Sequence, residues 1–184
     1  MADYTNWIPK CAYRFQEGVS TEVHQGIGPG GISFVFYTLP DADLSVFEDC
    51  FRRHGGKYGE RVTWLFTQRG QILVSKRISG IDENTLVLEG LGAGADDVRF
   101  DDGDLMEIIM KPRKLEQIAD VLDLEDIPTV QKGCIWHPQS LIPLEDRDTI
   151  TEVLSFLDEI LRYEKIVNMT ADFWISDEII YGKI

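Results

Sequence analysis

Cysteine, histidine and long apolar runs are all scarce in this sequence, and each shortage narrows what the chain can be. Its 184 residues include three cysteines, Cys11, Cys50 and Cys134. An odd number, widely spaced and without a Cys-x-x-Cys pair, argues against a disulfide framework and fits a reducing compartment. No apolar run approaches the ~18 residues that a membrane-spanning helix requires, so no membrane-spanning segment is expected. The first twenty residues contain Asp3, Trp7, Pro9 and Glu17 without an uninterrupted apolar stretch. They read neither as a secretory signal nor as an Arg-rich, acid-poor transit peptide. Three histidines and three cysteines are too few and too scattered to announce a catalytic triad, and no nucleophile motif is present.

Positive charge is the other shortage, and it is uneven. Residues 1–79 hold 9 Lys+Arg against 8 Asp+Glu, a balance of +1; residues 80–184 hold 9 against 24, a balance of −15. The second part should repel phosphate backbones, because nucleic-acid binding depends on cations displacing condensed counterions. What the chain does have is apolar content, 43%, enough for a real core.

Residues 1–25 show little periodicity and read as an irregular N-terminal segment. The turn cluster Gly26–Gly31 leads into an aromatic and branched strand, 32–39, that Pro40 ends. A short helix follows, with Ser45 and Glu48 at capping-box spacing and Leu44, Phe47 and Phe51 on one face. Residues 62–66 and 71–76 read as a hairpin turning at 68–70. The pattern restarts near Ser79: a helix capped by Asp82, a hairpin over 97–111, a helix opened by Pro112, and a strand over 130–137. Residues 145–163 form the clearest helix, and 165–175 a final strand. Helices and strands mix without a βαβ rhythm, so the expected class is α+β.

The recognisable short motifs mostly fail their own structural tests. Gly90-Leu91-Gly92-Ala93-Gly94-Ala95 matches a dinucleotide pattern, but it ends a helix instead of opening one. Gly28-Pro29-Gly30-Gly31 lacks the Lys and Ser/Thr of a P-loop. Asp101-Asp102-Gly103-Asp104 aligns with a calcium loop only by placing Phe100 and Ile109 at ligand positions. Cys134 and His137 supply two donors where zinc needs three or four, with His24 and His54 remote in sequence. No cofactor, metal, small-molecule substrate or catalytic residue is expected. The one concentrated cationic feature is Arg52, Arg53, Lys57, Arg61 and Arg69, interleaved with Tyr58 and Trp64. It suits phosphate contact and base stacking; a solvated helix end whose charges oppose the dipole is the competing reading.

Several of these segments, in this order, resemble the YebC family of transcriptional regulators and mitochondrial translational activators. The resemblance rests on Gly28-Pro29-Gly30-Gly31, Val46-Phe47-Glu48, Phe51, His54-Gly55-Gly56 and Gly59. It continues through Val62-Thr63-Trp64-Leu65-Phe66, Gly70, Ala93-Gly94-Ala95-Asp96-Asp97-Val98 and Ile166-Val167-Asn168-Met169 with Phe173, spanning roughly residues 24–175. It implies two α/β subdomains, a ferredoxin-like unit at 80–140 inserted into a discontinuous domain of 26–79 plus 141–175, with 176–184 as an extension. Family members begin with a basic helical domain. Here only Lys10 and Arg14 are cationic among the residues preceding the match, so no binding residue of that domain carries over.

The resemblance implies a non-enzymatic factor in gene expression, associated with a ribosome and with mitochondrial translation, in the mitochondrial matrix or alternatively the cytoplasm. Its nucleic-acid-binding candidates are Arg52, Arg53, Lys57, Tyr58, Arg61 and Arg69. The competing expectation is a structural, protein-binding subunit of a large organellar complex that has lost nucleic-acid binding. Trp174 and Tyr181 are the candidate partner contacts for that role.

Overall fold

The structure is a computed structural model and describes residues 20–100 and 104–175. The chain begins with β1 (Glu22–Ile27), β2 (Ser33–Thr38), α1 (Leu44–Arg53) and the short β3 (Lys57–Tyr58). A second group follows: β4 (Phe66–Ser75), α2 (Lys76–Ser79), α3 (Glu83–Ala93), β5 (Asp97–Phe100), β6 (Leu105–Met110), α4 (Leu115–Leu124) and β7 (Thr129–Pro138). The chain then returns through β8 (Ile142–Leu144), α5 (Arg147–Ile160), β9 (Ile166–Ala171) and β10 (Phe173–Ile175). The fold is α+β.

The first sheet has the order β3-β1-β2-β9, and the second β5-β6-β4-β7. All their pairings are antiparallel. The second sheet with α3 and α4 runs βαββαβ, the split βαβ arrangement of ferredoxin-like folds. A small parallel pair joins β8 to β10, with Phe173 opposite Ile142 and Trp174 opposite Pro143.

β2 explains how these layers meet. All six of its residues are buried, because a strand alternates its side chains between two covered faces. Phe34 and Phe36 point to the α1/α5 side, in a core with Phe47, Phe51, Val153, Phe156 and Ile160. Val35 and Tyr37 point the other way, against Val62, Phe66, Ile135 and Val167, where the two sheets touch. α3 and α4 cover the far side of the second sheet through Leu86, Ile118 and Leu122 on Ile72, Val74 and Ile108.

Four sequence expectations change. β1 lies within what read as irregular chain; it is held by six pairings to β2. Asp43, not Ser45, caps α1, its carboxylate accepting from the Ser45 N–H at 3.0 Å. The expected hairpin at 62–76 is one continuous strand after a 3-10 turn at Thr63–Leu65. The boundary expected near Ser79 therefore falls inside a hydrogen-bonded unit. β4 pairs with both β6 and β7 and supplies the first strand of the βαββαβ order. By contrast, Asp82 caps α3 as its spacing implies, accepting from Thr85 N–H at 3.0 Å. The turn 101–103 lies outside the described residues; Asp104 beside it accepts from Ser75 Oγ and from Arg77 N–H.

Candidate binding site

Two glycine-rich turns from distant parts of the chain meet at one end of the first sheet. Gly28–Gly31 leaves β1, and Gly55-Gly56 leaves α1. A Cβ on Gly56 would sit 2.6 Å from the Ile27 carbonyl and 2.9 Å from Gly28 Cα. Only glycine permits so close a backbone approach. Gly30 adopts φ 67°, which lets the loop turn beneath the start of α5. Between these turns and α5 lies a cleft of ≈ 580 Å³, lined by glycine backbone, His54, Lys57, Asp148, Thr149 and Glu152.

The cleft is polar and of mixed charge. Thr149 is committed to the end of α5: its N–H and hydroxyl both donate to Asp146, at 2.8 and 2.6 Å, and these bonds hold the Asp146 carboxyl below its ordinary range. His54 forms the inner wall. Its Nδ1 lies 2.8 Å from Glu152 Oε1 and its Nε2 3.0 Å from Glu159 Oε2. Both ring nitrogens of His54 thus face carboxylate oxygens of α5. Glu159 also pairs with Arg53, and the Cys50 sulfur lies within 4.8 Å of it. The His54 hydrogen bond is the main cause holding the Glu159 carboxyl below its ordinary range. Burial, reinforced by Glu159, pushes the Cys50 thiol up to about 12.

The structure separates the residues that formed one cationic cluster in sequence. Arg53 is tied to Glu159 and reaches the Asp49 carbonyl at 3.2 Å. Arg69 sits in β4 and pairs with Asp96 at 3.2 Å. The Tyr58 ring packs on Phe47 and Phe51 while its hydroxyl meets His24 Nδ1 at 2.9 Å, so it serves the core. Arg52, Lys57 and Arg61 remain exposed, and Arg52 pairs with the equally open Asp49. Trp64 is 71% exposed, with its indole N–H donating to the Arg61 carbonyl at 3.1 Å.

Trp174 is half-buried in β10; Tyr181 lies outside the described residues. Cys134 and His137 lie three apart in β7, a spacing that puts them on opposite faces. His137 meets Arg99 instead, at 3.0 Å. Sequence reasoning missed the grouping of Cys50, His54 and Glu159, whose donor atoms all lie within 4.8 Å of one another. The four-residue spacing of Cys50 and His54 at a helix end was the available signal; Glu159 had none.

These features define an α+β scaffold with a ferredoxin-like unit between the halves of another sheet-and-helix layer, and a glycine-lined cleft on the latter. Residues 20–173 match the family model described as the second and third domain of TACO1/YebC proteins. The chain belongs to that family. A probable transcriptional regulatory protein of Dictyoglomus turgidum is 31% identical over 181 residues, covering 96% of this chain and 69% of its own length. One from Halothermothrix orenii is 31% identical over 170 residues, covering 89% and 67%. The crystal structure of a conserved hypothetical protein from Aquifex aeolicus superposes with a TM-score of 0.77 at 24% identity, over 90% of this chain and 70% of that one. That likeness concerns the fold.

Proposed function

We propose that the protein is a non-enzymatic binding factor in gene expression that contacts RNA through Arg52, Lys57 and Arg61 beside Trp64. Similarity to probable transcriptional regulatory proteins supports the gene-expression setting. The observation that carries the RNA reading is the contrast in how cations are used: Arg53 and Arg69 are engaged by acids on other elements, while these three are exposed without such a partner among the described residues, and the exposed Trp64 indole is bonded to the Arg61 carbonyl. The Arg52–Asp49 pair is no obstacle, because exposed pairs contribute only about 0–1 kcal/mol and exchange readily for phosphate. We favour ribosome-associated mitochondrial translation as the process, following the family resemblance. Co-sedimentation of the native protein with ribosomes from that compartment tests it. Among the described residues, no helix is long and apolar enough to cross a membrane.

The RNA reading makes a quantitative prediction. The variant Arg52→Glu/Lys57→Glu/Arg61→Glu, which leaves the Arg53–Glu159 pair intact, should bind RNA more weakly across sequences. Its log affinity against log salt should flatten by about 0.7–0.9 per lost contact. Titrations at several salt concentrations measure this; an unchanged slope removes these residues from the interface.

A second reading has its own observation. Leu141 and Ile142 are 45% and 40% exposed, and Ile142 lies in β8 alongside the β10 strand that carries half-buried Trp174. This apolar edge suits a protein partner in a larger assembly, with Tyr181 as a further contact. Loss of assembly in Trp174→Ala/Tyr181→Ala, with RNA binding unchanged by the triple reversal, would favour that role. We also propose that residues 66–138 form a separable unit. Limited proteolysis should then cut first near the crossings at 59–64 and 139–141, which lead into and out of the second sheet. First cuts within β4 or β7 would count against it.

A further inference from the structure

We propose that Cys50, His54 and Glu159 form a zinc site that ties the end of α1 to α5, completed by a water molecule. The donors lie within 4.8 Å of one another. Tetrahedral bonds of about 2.0–2.3 Å would place neighbouring donors roughly 3.3–3.8 Å apart. Closing the site therefore takes up to about an ångström of side-chain movement. Thiolate, imidazole and carboxylate together are a borderline-soft set that suits zinc better than the all-oxygen shells of magnesium or calcium.

The surroundings resemble a prepared site more than a chance meeting of three groups. Glu152 holds His54 Nδ1 at 2.8 Å. A carboxylate in that position fixes the tautomer of a zinc-binding imidazole and leaves Nε2 for the metal. Nε2 is the nitrogen that faces Glu159 Oε2. Arg53 engages the other oxygen of Glu159, Oε1, so one carboxylate can serve both. Cys50 is 1% exposed, facing the core, while His54 and Glu152 also line the cleft.

Zinc here replaces protons. Binding displaces the Cys50 thiol proton and the proton between His54 Nε2 and Glu159, and both leave to solvent. Because the metal takes the place of ligand protons, affinity should rise with pH. Arg53, Glu152 and Glu159 are the charged groups that face these donors from α1 and α5. The site stands apart from the RNA reading: neither Lys57 nor Arg61 belongs to it.

The test uses the full chain, stripped with a chelator, kept reduced and titrated with zinc chloride. One zinc per chain is expected. Cobalt(II) in its place should give tetrahedral visible bands and a thiolate-to-cobalt charge-transfer band. Glu152→Gln should weaken zinc affinity about 10–100-fold, as loss of an orienting carboxylate does; Cys50→Ser and Glu159→Gln should weaken it further. Cys134→Ser should change nothing. Because a variant can fail by misfolding, the charge-transfer band of the unaltered chain is the primary readout. Absence of stoichiometric zinc, absence of that band, or a band kept in Cys50→Ser and lost in Cys134→Ser would each overturn the proposal.

Discussion

Replacing Phe34 by alanine should destabilise the protein by about 3–5 kcal/mol, the cost of emptying a large buried aromatic site. Phe34 is fully buried and stands at the centre of the aromatic core. Its ring centroid lies 4.9 Å from that of Phe156, 6.0 Å from Phe36 and 6.4 Å from Phe173. These neighbours come from α5, β2 and β10, so one substitution leaves unsupported atoms on three elements, and rigid rings close such a gap poorly. The ring also packs on the cleft. A Cβ on Gly28 would meet Phe34 Cε2 at 2.5 Å, so the glycine loop rests directly on it. Denaturant titration should show a lower midpoint with an unchanged slope. A loss below about 1 kcal/mol would mean that the site collapses easily and that the aromatic packing described here is wrong.

Gln71→Leu should cost about 2–6 kcal/mol, although leucine is apolar and of similar size. Gln71 is 3% exposed, in β4, on the side that faces the first sheet. Its amide N–H donates to the buried Glu107 carboxyl on β6, and its Oε1 accepts from Asn168 Nδ2 on β9 at 3.1 Å. Leucine would leave both partners without this bond in a dry interface, at about 1–3 kcal/mol for each unsatisfied group.

A pH dependence accompanies this. Burial pushes the Glu107 carboxyl above its ordinary 4.5, a push that the Gln71 bond and Arg99 only partly oppose. A group whose folded pKa is raised contributes stability fully below its unfolded pKa, and loses that contribution as pH rises towards the folded value. Glu107→Gln, which cannot ionise, should therefore gain on the unaltered protein as pH is raised from about 4.5, by thermal or denaturant melting. A difference independent of pH would show that burial does not raise the Glu107 carboxyl above its ordinary range.

The elements that were legible in the sequence are those whose signals are local. The α5 face repeats within a few residues, Asp82 sits three residues from the N–H it accepts, and the glycine run at 90–94 ends a helix as its context indicated. Errors arose where a remote partner outweighed the local pattern. Residues 66–75 contain turn-like Gln68-Arg69-Gly70, yet β7 pairs with them from Phe66 to Val74 and keeps them extended. β1, with His24, Gln25 and Gly26 at its centre, has no alternating pattern of its own; it is a strand because β2 and β3 flank it.

The same division runs through the candidate site. The sequence alone determined the α+β class, the family, the core faces of the helices, and a chain whose negative charge gathers after residue 79, because composition and short spacings carry those facts. Only the tertiary structure decided which cations are free and which are taken. Arg53 and Arg52 are neighbours in sequence, but one is held by Glu159 from α5 and the other pairs only with the exposed Asp49 of its own helix. It also brought Gly28 against Gly56, Gln71 to Asn168 across 97 residues, and His54 to Glu159 across 105. A contact over such distances depends on where two sheets and their helices come to rest, and that is set by burial of the whole core. No local spacing records it.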